Sequence, residues 1–203
     1  MTGTVLGADS QISAFERFVV KKRVALSFII FTTILTSCAC MGMVPREFIS
    51  GHDLVSGIGI GMVICGLALR SWAAGTLVKY YELTTTGIYS IMRNPLYLGS
   101  FLMISGFCVQ LDRPTLPLAA AFVLIPIYIV TVRKEERHLE STFGDAWRNY
   151  ASRTKRFLPS TWSPNFKGWS FAQWLKNHEY RAVLTTGLIY IALEIWETIS
   201  FPD

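Results

Sequence analysis

Residues 24–44 run for 21 positions without a charged side chain. A helix needs about 20 such residues, at 1.5 Å each, to cross the roughly 30 Å apolar layer of a bilayer. Three further uncharged blocks follow: 54–69 and 96–111, of 16 residues each, and 115–132, of 18. The shorter blocks need help from their ends or from interfacial neighbours, which puts the spans at about 24–44, 54–74, 96–111 and 115–132. A soluble four-helix core would carry polar stripes at helical spacing, whereas these blocks are apolar all round. Only 16% of the chain is charged, against about 25% in soluble domains. The fold class expected is therefore all-α, a polytopic transmembrane helix bundle of four or five spans.

The basic residues orient that bundle. Arg17, Lys21, Lys22 and Arg23 precede the first span, and Arg46 stands alone between the first and second. Arg70, Lys79 and Arg93 lie between the second and third, and Arg113 alone between the third and fourth; the other ten follow the fourth. With alternate loops on the same side, 17 of the 19 Lys and Arg share one face. The positive-inside rule makes that face cytoplasmic, along with the N-terminus. A basic chain built this way is drawn to membrane lipid with acidic headgroups rather than to nucleic acid.

Several features have plain readings. Ile12, Phe15, Phe18 and Val19 fall on one helical face ahead of Lys21-Lys22-Arg23, so 1–23 reads as an amphipathic surface helix, with a frayed tail as the alternative. Residues 1–10 carry no basic stretch, and no secretory signal is expected there. Cys38, Cys40, Cys65 and Cys108 all lie in apolar spans without a CxxC pair, and His52, His138 and His178 lack ligand spacing. No metal is expected. Gly57-Ile58-Gly59-Ile60-Gly61 glances toward a nucleotide fingerprint, but Met62 occupies the position of its third glycine and no strand precedes it. Gly57 and Gly61 read instead as a GxxxG face for close packing against another helix. Pro117 and Pro126 fall within the fourth span, where neighbouring helices can satisfy the carbonyls that proline frees. Residues 160–203 form an extension in which the apolar run 182–193 is only 12 residues long. That run suits either an interfacial helix or a fifth span over about 180–201; the span is the preferred reading.

Two short polar stretches carry the chemistry. One is 80–99, YYELTTTGIYSIMRNPLYLG, which ends as the third span begins; the other, 133–159, opens with Arg133-Lys134-Glu135-Glu136 just past the fourth. The three-residue link Asp112-Arg113-Pro114 makes the third and fourth spans an antiparallel pair, so both stretches reach the same face. Pro95 suits the first turn of a helix, whose free N–H groups and positive dipole end favour a carboxylate. Glu135, Tyr89 and Tyr97 would suit a cation. A sulfonium cofactor with an amino-acid tail has both needs, and a surface ion-pair network of Arg93, Glu135 and Glu136 would account for the same residues.

The pattern Leu83-x-x-x-Gly87-x-Tyr89-x-x-x-Arg93-Asn94-Pro95-x-Tyr97-x-Gly99, followed by Glu135-Glu136 and Phe143-Gly144 and then by Trp147, Tyr150, Arg156, Phe157 and Pro159, resembles the isoprenylcysteine carboxyl methyltransferase superfamily, which also includes phospholipid N-methyltransferases. The resemblance covers about residues 70–159 of a core spanning 24–159. It implies an integral membrane enzyme with S-adenosyl-L-methionine in a cytoplasmic pocket and a lipophilic or small-molecule methyl acceptor from the membrane. Cofactor contacts implied are Tyr81, Glu82, Leu83, Thr84, Tyr89, Arg93, Asn94, Pro95, Leu96, Tyr97 and Glu135; Arg133 and Glu136 are the catalytic candidates. Where this chain has Asn94 the family usually has histidine, and an amide can hydrogen-bond but cannot titrate near neutrality. Asn94 is therefore cast as a cofactor binder rather than a base. The carboxyl-methylating members carry a substrate-binding arginine at the position of Thr131, and the nearest arginine here is Arg133. That departure argues against a prenylcysteine carboxylate and leaves the acceptor a carboxylate, a thiol or an amine. Alternatives are an NADPH-dependent sterol-type reductase, which resembles the same superfamily, and a non-catalytic membrane scaffold.

Overall fold

The computed structural model describes residues 54–78, 82–111, 115–160 and 167–200, with isolated positions between 32 and 45. The described elements are helical: α1 Leu54–Thr76, a 3-10 turn Ile88–Ser90, α2 Pro95–Val109, α3 Thr115–Phe143, α4 Asp145–Arg153, α5 Phe171–Lys176 and α6 Tyr180–Ser200. α1, α3 and α6 are long and apolar enough to cross a membrane, and α2 is a shorter apolar helix. The chain is a multi-pass membrane protein. The surface helix 1–23 and most of the span 24–44 lie outside the described residues, although Thr32, Thr33, Thr36, Ser37 and Cys40 are helical.

α1 and α2 begin and end within two residues of the second and third expected spans. At the fourth, α3 continues past Val132 for 11 more residues to Phe143 as one helix. Its charged continuation is rich in Glu, Lys and Arg, good helix formers, and Pro126 lies within its apolar part. Pro117 occupies the first turn, where no intrahelical N–H bond is lost. The short apolar run near the C-terminus is the middle of a 21-residue helix, which Tyr180 and Arg181 extend at one end and residues 194–200 at the other. Leu184, Leu188, Ile191, Ile195 and Ile199 are exposed along it, as befits a lipid-facing surface.

Glycine sets the closest helix contact. Gly59 and Gly66 on α1 meet Gly106 and Gly99 on the antiparallel α2. A Cβ at Gly66 would stand 2.6 Å from the Gly99 carbonyl oxygen, and one at Gly106 2.6 Å from that of Gly59. Each pair is seven residues apart in its helix, about two turns, so the small residues recur on one stripe with backbone against backbone. Gly57 and Gly61 lie off this stripe, and among the described residues nothing comes within 4 Å of a Cβ at either. Ser56 donates to the Gln110 side-chain carbonyl at 3.2 Å at one end of the stripe. Val63, Phe107, Leu111 and Leu193 then join α1, α2 and α6 in one buried cluster, while Cys108, Ala120, Leu124 and Tyr128 join α2 to α3.

The last turn of α1 is capped from about 100 residues away. Asn177 Nδ2 donates to the Ala74 and Leu77 carbonyls at 2.8 Å. Gln173 Nε2 reaches Leu77 O at 2.6 Å, and Ser170 N reaches Gly75 O at 2.9 Å. These donors satisfy carbonyls that a helix end leaves without partners. Gly75 has to be glycine, since a Cβ there would collide with the Trp169 ring.

Gly66→Ala is expected to destabilise the bundle by about 1–3 kcal/mol through overpacking, read as a lower thermal midpoint in detergent. Gly187→Ala, on the exposed side of α6, should stay within about 0.5 kcal/mol of the parent.

Candidate functional site

The site is assembled where α2 begins and α3 leaves the apolar layer. Gly87 takes φ +58°, and a Cβ there would meet the Thr76 side chain at 2.8 Å; glycine alone lets the connector turn against the end of α1. The turn buries Ile88 and Tyr89 against Ala73. Residues 91–94 then run beside 155–160, joined by Arg93 N to Lys155 O at 2.9 Å, Asn94 N to Arg156 O at 3.0 Å and Ser160 N to Ile91 O at 2.9 Å. Asn94 is the N-cap residue of α2, with Pro95 in its first turn.

Glu136 lies at the centre. It is 8% exposed, and its Oε2 accepts from Arg156 Nε at 2.9 Å and Nη2 at 2.7 Å. Arg93 Nη2 stands 3.5 Å from Oε1. A carboxylate taken from water needs such partners. The Arg93 guanidinium also covers the Trp147 ring of α4 at 5.5 Å, and Tyr150 donates its hydroxyl to Tyr89 O at 2.7 Å. α4 is thereby closed over the connector. Burial pushes the Tyr89 phenol well above its ordinary range, and nearby Tyr150, Glu135 and Glu179 add to the effect while Arg70 opposes it. Burial likewise raises Tyr150.

Of the residues expected from sequence, Tyr89, Arg93, Asn94, Pro95, Leu96, Tyr97, Glu135 and Glu136 come together around these helix ends. Tyr97 sets its ring edge-on to Tyr128 at 5.2 Å. Thr84 accepts from Val78 N at 3.1 Å, which ties the start of the connector to the end of α1; Leu83 is half-buried beside it and Glu82 is exposed. Tyr81 lies outside the described residues. The Arg133 side chain is exposed on α3. Arg70 and Glu179 were not legible as site residues. In the sequence Arg70 is one basic residue among those that orient the bundle, and nothing there ties Glu179 to it.

The donor set fits a sulfonium cofactor with an amino-acid tail. Among the described residues, Asn94 Nδ2 and Arg93 Nε are buried donors without a hydrogen-bond partner. They sit at the N-terminus of α2, where the positive end of the helix dipole favours an anion. Clustered donors of this kind suit a carboxylate, and Glu135 with the Tyr89 and Tyr97 rings suits the cationic end. An open cleft of about 400 Å³ lies alongside, lined by Thr85, Ser90, Asn149, Tyr150, Arg153 and Thr154. Among the described residues no three His, Cys, Asp or Glu converge.

A polytopic helical membrane protein with a polar, donor-rich site at its helix ends is the class defined so far. The profile of the phospholipid methyltransferase family matches residues 55–146. A protein-S-isoprenylcysteine O-methyltransferase B of Arabidopsis thaliana is 32% identical over 120 residues, 53% of this chain and 61% of its own. A cobalt-zinc-cadmium resistance protein of Cupriavidus metallidurans is 30% identical over 171 residues, 74% of this chain and 73% of its own. A nickel-cobalt-cadmium resistance protein of Alcaligenes xylosoxydans is 28% identical over 151 residues, covering 72% and 69%. No solved structure matches significantly. This chain belongs to the isoprenylcysteine carboxyl methyltransferase and phospholipid methyltransferase superfamily of integral membrane proteins. It spans about three fifths of the plant relative's length.

Glu136→Gln removes the charge that Arg93 and Arg156 share. The expected cost is about 2–3 kcal/mol, below the fully buried range because Arg156 is half-exposed, measured by thermal unfolding in detergent. Tyr89 and Tyr150 hold their protons more tightly folded than unfolded. Their contribution is complete below about pH 10 and is lost as pH rises beyond it. Between about pH 10 and 11, Tyr89→Phe should therefore lose less stability than the parent protein.

Proposed function

We propose that this chain is an S-adenosyl-L-methionine-dependent methyltransferase acting at the cytoplasmic membrane surface on a lipophilic or small acceptor. The observation that carries this reading is the pair of unpartnered buried donors on Arg93 and Asn94, set at the start of α2 next to Glu135, in a chain of a methyltransferase superfamily. Asn94 and the first turn of α2 would hold the cofactor carboxylate. Glu135, Tyr89 and Tyr97 would face its cationic end, and Tyr81, Glu82, Leu83 and Thr84 would flank it from the connector. Glu136 acts by holding Arg93 and Arg156 in register. Arg133, exposed just past the apolar part of α3, is the candidate to meet the acceptor.

The cofactor supplies a methyl group already activated by its sulfonium. What remains for the protein is to align a nucleophile with that methyl and to exclude water. A carboxylate or thiolate needs no strong base, whereas an amine must first lose a proton. Asn94 cannot act as that base.

The names of the plant relatives support a lipophilic acceptor. Thr131 argues against a prenylcysteine carboxylate: it is fully buried, and its hydroxyl donates to the Ile127 carbonyl at 2.7 Å, so no cation stands there. The charge segregation of the sequence supports a cytoplasmic site.

Purified protein is expected to bind S-adenosylhomocysteine. Asn94→Ala and Glu135→Gln should each weaken binding about tenfold or more, the scale of one hydrogen bond to a charged group. Wild-type affinity no better than that of an unrelated membrane protein would sink the reading. Radiolabelled methyl transfer into a lipid extract and a panel of prenylated and small thiols tests activity and acceptor class together.

A further inference from the structure

The C-terminal arm, residues 167–200, lies beyond the segment that the family profile matches, yet it reaches the site. Arg70, near the end of α1, forms a two-pronged ion pair with Glu179 at the start of α6: Nε to Oε1 at 2.8 Å and Nη2 to Oε2 at 3.0 Å. The Glu179 side chain is 4% exposed. The third guanidinium nitrogen donates to Ser100 Oγ, and Ser100 donates in turn to the Leu96 carbonyl at 2.8 Å. Leu96 belongs to the first turn of α2, the turn assigned to the cofactor carboxylate. The stem of Arg70 lies on Gly99, where a Cβ would come within 2.6 Å of Arg70 Cγ.

Both charges also act on the Tyr89 phenol, together with Glu135. The pair is therefore within electrostatic reach of the ring assigned to the cationic end of the cofactor. The arm is fixed in place just ahead of the contact. Asn177 caps α1 two residues before Glu179, and His178 between them adopts φ 58°, a left-handed conformation uncommon for a residue with a side chain.

We propose that the C-terminal arm completes the methyl-donor site, with Glu179 as a positioning residue that neutralises Arg70 and holds it on Ser100. This rests on the donor reading above and deepens it. Without Glu179, Arg70 would stand as an uncompensated cation facing a sulfonium, and like charges in a partly buried site repel strongly. The penalty falls on a donor that carries the sulfonium charge and largely spares its uncharged thioether product. A contact that merely braced the helices would weaken both ligands alike.

The test is titration of the purified full-length protein with S-adenosylmethionine and with S-adenosylhomocysteine, read as the ratio of the two Kd values. Glu179→Gln should raise the S-adenosylmethionine Kd about tenfold and the S-adenosylhomocysteine Kd less than threefold. Arg70→Gln leaves the Glu179 carboxylate unpaired and should move the ratio the opposite way. The double variant Arg70→Met/Glu179→Met, apolar and of similar volume, should fold and keep the wild-type ratio within about twofold. Equal weakening of both ligands, an unchanged ratio in both single variants, or a double variant shifted as far as Glu179→Gln overturns the proposal. Should Glu179→Gln not fold, the opposite shift in Arg70→Gln decides alone. Wild-type protein that binds neither ligand overturns the donor reading and this proposal with it; a wild-type protein that binds both, with unresponsive variants, overturns this proposal only.

Discussion

Glu136 leaves the solvent where α3 passes out of the apolar layer, and its carboxylate needs positive partners there. Arg156 meets it on one side and Arg93 on the other. Arg156 belongs to the segment that follows α4, and Arg93 to the turn that starts α2. One buried charge therefore draws together three stretches that are far apart in sequence. The backbone pairing of 91–94 with 155–160 and the Tyr150 bond to Tyr89 follow once those stretches are adjacent. Such a pair contributes modestly to stability as a whole, but removing one member is costly. It specifies register more than it adds strength.

The other end of the site is set by backbone proximity. With Gly59 and Gly66 against Gly106 and Gly99, α1 and α2 approach closely enough for Arg70 to lie flat across Gly99 and reach Ser100. Larger residues on that stripe would lift α1 away and take Arg70 with it. The capping of α1 by Gln173 and Asn177 fixes the same helix from its end, so the position of α6 and that of α2 are read out at one guanidinium.

The apolar blocks were enough to foresee the helices, because crossing a bilayer demands uncharged length that little else in a sequence imitates. The clustering of Arg93, Asn94, Glu135 and Glu136 was legible for a related reason: a three-residue link between two spans leaves them only one way to fold back. Glycine spacing marks more than one face of α1. Gly57 and Gly61 form the familiar spacing of four, while the α1–α2 contact uses a spacing of seven that is less conspicuous among five glycines in one helix. The end of α3 was not legible, because a change from apolar to charged residues marks the edge of the membrane but not the end of a helix. The ion pair of Arg70 with Glu179 depends on where a distant arm docks, and no local pattern encodes that.

The continuity of α3 has a mechanical consequence. Its 29 residues make a rod of about 43 Å, well over the roughly 30 Å of bilayer hydrocarbon. Glu135 and Glu136 ride on it only three and four residues past Val132, about 5 Å beyond the apolar part. No hinge separates the lipid-embedded section from the section that bears these carboxylates, so any tilt or vertical shift of the helix carries them with it. A bilayer a few ångströms thicker or thinner makes spanning helices tilt or sink, a displacement comparable to the height of the site above the lipid. The acyl-chain length of the surrounding membrane thus becomes a determinant of how this site meets anything arriving from the bilayer.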